Sequence, residues 1–253
     1  MEQLQGLPPE ALWLGLLVFA FASILALHRW AGRAGLYLYM AIAIIGGNLQ
    51  VLKVTQFSVF PDPVALGTIL FSTTFLCTDI LAEYHGAKYA RKGVLLGFSG
   101  LILFNLFLFA ALSFRPIEGA GDPFTERAAA MQGHLEAVFL PAPAILVASL
   151  SAYLVSQFND IWIFGRIRAA TRGRFLWLRN NASTWISALV DNTVFSVLAF
   201  VVLAPEPVSW KPLIFTYILG TYGLRVTVAL LDSPIVYLAR PRRRALATAE
   251  MAG

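Results

Sequence analysis

FSTTFLCTDILAEYHGAKYARK, residues 71–92, begins as an apolar helix and ends in a basic cluster. Asp79 and Glu83 lie four residues apart within it, so an α-helix places both carboxylates on one face. An acidic residue within a membrane-length apolar run is costly and is usually hidden from lipid. The stretch therefore predicts a membrane helix whose acidic face is sheltered by the rest of the chain.

The composition of the whole chain is that of a multi-pass membrane protein. Of its 253 residues, 58% are hydrophobic and 13% are charged, whereas a soluble domain carries about 25% charged residues. Seven apolar segments are each near or above the ~20 residues that a spanning helix needs. They cover residues 11–28, 34–59, 64–84, 93–114, 136–164, 183–204 and 212–238.

The predicted fold class is all-α, a polytopic bundle of about seven transmembrane helices in one domain, 1–253. Residues 1–10 form its N-terminal tail and 240–253 a basic tail. Pro141 and Pro143 predict that the fifth helix starts late or is kinked at its outer end. The single cysteine, Cys77, provides neither an intramolecular disulfide nor a metal site. We predict no metal and no cofactor.

Basic residues predict the orientation of the chain. Most of the 19 Lys and Arg residues fall in alternate connections, which the positive-inside rule places in the cytoplasm. This gives an N-out, C-in topology in a multi-pass protein of the cell inner membrane. The cytoplasmic set is Arg29, Arg33, Lys88, Arg91, Lys92, Arg166, Arg168, Arg172, Arg174, Arg179, Arg240, Arg242, Arg243 and Arg244.

Several predicted helices carry a stripe of polar residues on one face. Such stripes are typical of helices around a shared polar cavity, although Ser, Thr and Asn also bond neighbouring helices at about 0.6 kcal/mol each. We expect Arg225 to neutralise Asp191, because an isolated buried charge is several kcal/mol unfavourable. Asp160 and Glu83 lie near the predicted cytoplasmic interface, and we expect them to be partly solvated. The second segment holds the polar residues Asn48, Gln50 and Lys53, and the stripes are Ser149, Tyr153, Gln157 and Asp160; Thr184, Ser187 and Asp191; and Tyr217, Thr221, Arg225 and Asp232.

Common catalytic signatures are missing from the sequence. There is no phosphate-binding glycine loop, so the chain does not hydrolyse ATP itself. There is also no G-x-S-x-G or H-E-x-x-H motif, which removes the commonest hydrolase interpretations. We therefore predict that the chain is not an enzyme.

A combination of motifs resembles the queuosine precursor transporters, also called the vitamin uptake transporter family. The resemblance covers about residues 45–240. It includes the polar group from Asn48 to Lys53, TDILAEYHGAKYARK (78–92), SAYLVSQFNDIWIFGRIRAATRGRFLWLRNNAST (151–184) and SALVDNTVF (187–195). It implies a bacterial inner-membrane importer with a six-helix core that takes up the 7-deazaguanine bases preQ0 and preQ1 for queuosine synthesis in tRNA. It also implies an architecture like that of the substrate-binding subunits of energy-coupling-factor importers, but without their ATPase module.

The chemistry of a 7-deazaguanine agrees with the polar residues of the predicted helices. A carboxylate accepts the paired N–H donors of the base in bidentate fashion, and its carbonyl needs a donor such as Asn, Gln or Lys. A flat heterocycle favours an aromatic neighbour such as Phe75. The candidate substrate-binding residues are Asn48, Gln50, Lys53, Asp79, Glu83, Tyr153, Gln157, Asp160, Trp185, Asp191 and Asn192.

The predicted partners are a small-molecule substrate and the lipid bilayer, with a homodimer as an option and no nucleic acid. Two alternative functions stay open. One is an intramembrane enzyme that acts on a lipid-type substrate through paired acids. The other is a substrate-binding subunit that needs a separate ATPase module.

Overall fold

The computed structural model describes residues 6–58, 63–115, 121–139 and 143–241. This part of the chain forms eight helices and a two-stranded antiparallel hairpin. The helices are α1 (Pro9–Ala31), α2 (Arg33–Gln50), α3 (Thr68–Tyr84), α4 (Ala87–Leu112), α5 (Pro123–Phe139), α6 (Pro143–Ala170), α7 (Leu176–Val202) and α8 (Trp210–Leu238). The hairpin strands β1 (Val54–Thr55) and β2 (Val64–Ala65) lie between α2 and α3.

The predicted all-α fold class is confirmed. Helices α1, α4, α7 and α8 are each long and apolar enough to cross a membrane. Helices α2, α3 and α6 coincide with the three remaining predicted segments, and their crossing of the bilayer stays a prediction. Stretches of π-helix occur in α7 at Leu198–Val202 and in α8 at Leu213–Ile218, which the apolar pattern does not indicate.

The connection between α4 and α6 includes a helix in the stretch 115–135, which the predicted apolar segments leave uncovered. It contains α5, which follows a local N-terminal cap. The Oδ1 atom of Asp122 accepts hydrogen bonds from the backbone N–H groups of Phe124 at 2.9 Å and Thr125 at 3.2 Å. The structure describes α6 from Pro143 onward, and the late start or kink of this helix stays a prediction. Pro141 lies outside the described residues.

Helix α3 is the central element of the bundle, because it packs against α1, α2, α4, α6, α7 and α8. Its buried residues run almost without interruption from Thr68 to Ala82. Buried threonine hydroxyls on α3 donate to carbonyls of the preceding turn, such as Thr73 to Ile69 at 2.9 Å and Thr78 to Phe75 at 2.8 Å. These bonds satisfy polar groups that have no access to water.

The basic connections meet at one end of the bundle, which we call the basic end. His28 at the end of α1 contacts His85 after α3, with the two Nε2 atoms 3.2 Å apart. Arg168 near the end of α6 donates to the Ala82 carbonyl at 3.2 Å, and the Tyr84 hydroxyl donates to Val236 of α8 at 2.8 Å. This grouping is what an N-out, C-in orientation requires, and the orientation itself stays a prediction. Residues 242–253 of the predicted basic tail lie outside the described residues.

Replacing Gly67 by alanine is expected to destabilise the bundle. Gly67 precedes α3 with a φ of 98°, and an added Cβ would lie 2.7 Å from the carbonyl oxygen of Gly47 in α2. We expect a loss of about 1–3 kcal/mol, measured as a lower melting temperature of the purified protein. The matched control is Gly15→Ala, since nothing lies within 4 Å of the Cβ that it adds. Equal melting temperatures for the two variants would contradict the close approach of α2 and α3.

Candidate functional site

Three acidic residues on three helices approach one another at the centre of the bundle. This carboxylate cluster consists of Asp79 on α3, Asp160 on α6 and Asp232 on α8, each at most 1% exposed. The carboxyl groups of Asp79 and Asp160 lie within hydrogen-bonding reach of each other. The partial solvation expected of Asp160 is wrong, because its exposed fraction is 0%.

Hydroxyl groups provide the other contacts of Asp79 and Asp160. The Oγ1 atom of Thr184 lies 3.5 Å from Oδ2 of Asp79, and that of Thr78 lies 3.5 Å from Oδ2 of Asp160. The Ser183 hydroxyl is also close to Asp160, and it donates to the Asn180 carbonyl at 3.3 Å. Both 3.5 Å contacts are at the long limit for a hydrogen bond, so they are weak. The two carboxyl groups therefore keep most of their capacity to accept hydrogen bonds.

Amide groups complete the polar centre. Asn180 of α7 donates from Nδ2 to Oδ1 of Asp232 at 2.8 Å, which is a normal hydrogen-bond length. Gln157 of α6 donates from Nε2 to the Thr74 hydroxyl at 2.7 Å and accepts from Thr78 at 3.3 Å. Asp232 is thus firmly bound, in contrast to Asp79 and Asp160.

Several buried polar atoms beside the carboxylate cluster receive no hydrogen bond from a protein N–H or O–H group. They are Oδ1 of Asp79, Oδ1 of Asp160 and Oδ1 of Asn180. An unsatisfied buried polar group costs about 1–3 kcal/mol, so a native structure keeps one only for a reason. A ligand with N–H donors is one such reason, because all three atoms are acceptors.

An ion pair links α7 and α8 on the side of the cluster away from the basic end. Nη1 of Arg225 lies 2.6 Å from Oδ2 of Asp191, and the Ser156 hydroxyl donates to Oδ1 of Asp191 at 2.8 Å. The predicted pairing of Arg225 with Asp191 is therefore confirmed. Because both oxygens of Asp191 are engaged, this acid is less available to a ligand than Asp79.

A second ion pair closes the basic end of the cluster. Nη2 of Arg179 lies 2.6 Å from Oε1 of Glu83, and Nη1 of Arg179 donates to the carbonyls of Gly173 and Arg174 at 3.1 and 2.9 Å. The placement of Arg179 in a cytoplasmic connection is wrong, because it lies in the first turn of α7 and is 1% exposed. Glu83 is held by this arginine, with Arg168 at 3.9 Å, and its side chain is 14% exposed, as expected of a partly solvated acid.

Three candidate residues from the second apolar segment lie away from the carboxylate cluster. Asn48 accepts a hydrogen bond from Ser149 of α6 at 3.0 Å. Ser149 lies eleven residues, and hence about 16 Å, from Asp160 along α6. Gln50 is the last residue of α2. The placement of Lys53 inside a membrane helix is wrong, because α2 ends before it and its side chain is exposed next to β1.

Of the three remaining candidates, one lies on α6, which carries Asp160 of the cluster, and two lie on α7. Tyr153 of α6 is buried with an unpartnered hydroxyl, and Trp185 follows Thr184 on α7. Asn192 donates to the Ile218 carbonyl at 2.9 Å and to the Thr221 hydroxyl at 3.0 Å. Asn192 therefore joins α7 to the π-helical part of α8.

Sequence reasoning did not select four residues that the structure brings to the site or beside it: Arg179, Asn180, Ser183 and Asp232. Three of them lie within the LWLRN-x-x-ST part of the resemblance, which was a usable signal. Only Arg179 was assigned to a basic connection, and Ser183 was the first residue of the predicted sixth apolar segment. Asp232 was recognised as ionisable, but its distance along the chain gave no indication that it lies near Asp79.

Comparisons with known proteins identify the family of the chain. The model of a family described as putative vitamin uptake transporter matches residues 65–239. The chain belongs to this family. A Bacillus subtilis (strain 168) protein named probable queuosine precursor transporter is 31% identical over 91% of this chain and 94% of its own length. A Haemophilus influenzae protein of the same name is 29% identical over 53% of this chain and 51% of its own length. No solved structure matches the chain.

The family match extends from the hairpin to the end of α8 and contains all three members of the carboxylate cluster. Asn48, Gln50 and Lys53 lie outside it. The family and the long apolar helices make this chain a multi-pass protein of the bacterial plasma membrane. The family is named for transport and not for catalysis.

The pairing of Arg225 and Asp191 predicts a strong coupling between their substitutions. Arg225→Ala alone leaves the partly buried Asp191 without its cationic partner and with only the Ser156 hydroxyl, so we expect a loss of about 3 kcal/mol of stability, at the lower end of the range for buried pairs. Adding Asp191→Asn should recover part of this loss, measured by the melting temperatures of the two single variants and the double variant. Lys211→Ala serves as the control, because Lys211 is an exposed cation on the same helix. If the stability losses of the two single variants simply add up in the double variant, the ion pair contributes no interaction energy of its own.

Proposed function

We propose that this protein imports queuosine precursors, the 7-deazaguanine bases preQ0 and preQ1, across the bacterial plasma membrane. The names of the two relatives support the substrate class. The structural observation that carries the proposal is the buried pair of Asp79 and Asp160, with oxygens that accept no protein hydrogen bond. A transporter needs such a polar site within its membrane region, and a purely structural bundle does not.

The hydrogen-bonding pattern of the base complements this pair. The N1–H and 2-amino groups of a 7-deazaguanine are adjacent donors, and a carboxylate accepts two parallel hydrogen bonds from such an edge. The 6-carbonyl group needs a donor, which the amide groups of Gln157 and Asn180 provide. The aminomethyl cation of preQ1 also favours an acidic environment. The excess of acceptors at the cluster thus matches a ligand with several donors.

The lengths of the existing contacts indicate which acids bind the base. The hydroxyl contacts of Thr184 with Asp79 and of Thr78 with Asp160 are both 3.5 Å long, so the N–H groups of a ligand replace them at little cost. By contrast, Asp191 and Glu83 each lie 2.6 Å from an arginine nitrogen. Removing a buried ion-pair partner costs about 3–5 kcal/mol. We therefore assign recognition of the base to Asp79 and Asp160, and a structural role to the ion-paired acids.

Transport requires that the polar centre opens to each side in turn. The side chains of the cluster are at most 1% exposed, so the base reaches them only when α3 separates from α6 or α7. Arg179 and Asp191 lie twelve residues, about 18 Å, apart on α7, with Thr184 between them. Their ion pairs with Glu83 and Arg225 are positioned on either side of the cluster. In this proposal, the two ion pairs are the barriers that open alternately.

The experiment that tests the function is uptake in a host that cannot synthesise queuosine precursors and lacks its own importer. With preQ1 in the medium, the wild-type chain should restore queuosine in tRNA. Asp79→Asn, expressed in the membrane to the same level, should restore much less at limiting preQ1, because one acceptor oxygen becomes a donor that faces the N–H groups of the base. Asp122→Asn is the control, since that acid caps α5 away from the cluster.

A chain that reaches the membrane and restores no queuosine would contradict the proposal. Normal restoration by Asp79→Asn would instead place the binding site elsewhere. Purification of the active wild-type chain together with a soluble ATPase would favour the alternative of a substrate-binding subunit.

A further inference from the structure

A second polar site lies at the basic end, apart from the carboxylate cluster. Here a pocket of about 310 Å³ opens between the start of α2 and the start of α4, at the lower end of the ~300–1,000 Å³ typical of ligand pockets. Its lining residues are Ala31, Arg33, Ala34, Tyr37, Tyr89 and Lys92. We call it the basic pocket, because Arg33 and Lys92 are its charged members and it has no acidic one.

Packing and chain geometry position the two basic residues. The guanidinium carbon of Arg33 lies 4.1 Å from the centroid of the Tyr89 ring, which holds Arg33 against α4. Lys92 follows Tyr89 by three residues on α4, so both face the same side of that helix. Gly93 of α4 permits α4 to pack closely against α2, since a Cβ at position 93 would lie 3.2 Å from the Tyr37 ring.

The backbone adds to the positive character of the pocket. Helices α2 and α4 both begin here, and neither has a side-chain cap or an acidic residue in its first turn. Free N–H groups and the helix dipole make such a terminus favourable for anions. The Tyr37 hydroxyl has no hydrogen-bond partner and is an unused donor in the same corner.

The neighbouring histidines do not add charge at neutral pH. Burial and the nearby His28 and Arg33 lower the pKa of His85 to about 4. The positive charge of the basic pocket therefore comes from the side chains of Arg33 and Lys92. Arg forms bidentate hydrogen bonds with phosphate oxygens and Lys provides a point charge, so the pair is suited to a phosphate group.

We propose that the basic pocket binds the phosphate group of an anionic phospholipid. The pocket lies at the end of a membrane bundle and beside apolar helices, where headgroups of the surrounding leaflet reach it. Basic pockets between membrane helices on the cytoplasmic side are known to bind anionic headgroups. The site is independent of base recognition, since none of its residues belongs to the carboxylate cluster. A bound headgroup would join α1, α2 and α4 at the basic end.

The test is thermal unfolding of the purified chain in neutral detergent at constant ionic strength. The probes are short-chain phosphatidylglycerol, short-chain phosphatidylcholine and inorganic phosphate. Phosphatidylglycerol should raise the melting temperature in a saturable way, and phosphatidylcholine should not. In Arg33→Gln/Lys92→Gln, the apparent affinity for phosphatidylglycerol should fall by about tenfold to a hundredfold.

The matched control is Lys88→Gln/Arg91→Gln, which removes the same charge from the same end of α4 outside the pocket. We expect its affinity for phosphatidylglycerol to stay within about twofold of the wild type, because exposed surface charges contribute little at moderate salt. Lys92→Gln alone leaves the contact of Arg33 with Tyr89 in place. It should still weaken binding, which separates a binding effect from a folding effect.

Inorganic phosphate distinguishes the two sources of the phosphate group. A response to the lipid alone assigns the pocket to headgroups. An equal response to inorganic phosphate, lost in Arg33→Gln/Lys92→Gln, assigns it to free phosphate and overturns the lipid proposal. Equal responses of the pocket variant and its control to phosphatidylglycerol would show general surface attraction, and the pocket would then not be a binding site.

Discussion

The burial of acidic side chains inside a helical membrane bundle is the constraint on which this structure depends. Neither lipid nor bulk water satisfies a carboxyl group there, so protein groups or a ligand must do so. Glu83 and Asp191 are satisfied by arginines at 2.6 Å, and Asp232 by Asn180 at 2.8 Å. Asp79 and Asp160 have only each other and weak hydroxyl contacts. This inequality separates the acids that hold the bundle together from those that remain available for a substrate.

The central position of α3 links this difference between the acids to the packing of the whole bundle. Because α3 contacts six other helices, any movement that exposes Asp79 changes several interfaces at once. Helix α7 contributes to all parts of the polar centre, through Arg179, Asn180, Thr184 and Asp191. A motion of α7 relative to both α3 and α8 would therefore alter the two ion pairs and the hydroxyl and amide contacts of the carboxylate cluster together, which is the coupling that an importer needs.

Much of the fold was predictable from the sequence, because apolar length and charge periodicity are strong signals. The pairing of Arg225 with Asp191 was predictable as well, since two isolated charges within apolar helices require each other. Helix ends were less predictable. Apolar residues continue past Gln50 into the hairpin, so Lys53 was placed in a helix that had already ended.

Other features depend on contacts that no local pattern encodes. Arg179 follows a run of arginines in a connection, and only the approach of Glu83 on α3 shows that it is buried. Asp232 lies near Asp79 through the packing of α8 against α3, which are far apart in the chain. Helix α5 was missed for a different reason, because its signal is the Asp122 cap rather than an apolar run.

The measurement that tests the central claim most directly is a binding cycle on Asp79 and the 2-amino group of the base. Affinities of the purified wild-type and Asp79→Asn chains would be measured for preQ1 and for its analogue without the 2-amino group. If Asp79 accepts the N1–H and 2-amino donors, removing the amino group should weaken wild-type binding by about tenfold or more. The same change should weaken binding to Asp79→Asn by less than about twofold. Equal losses in both chains would show that Asp79 does not contact that edge of the base, and would contradict this account of the site.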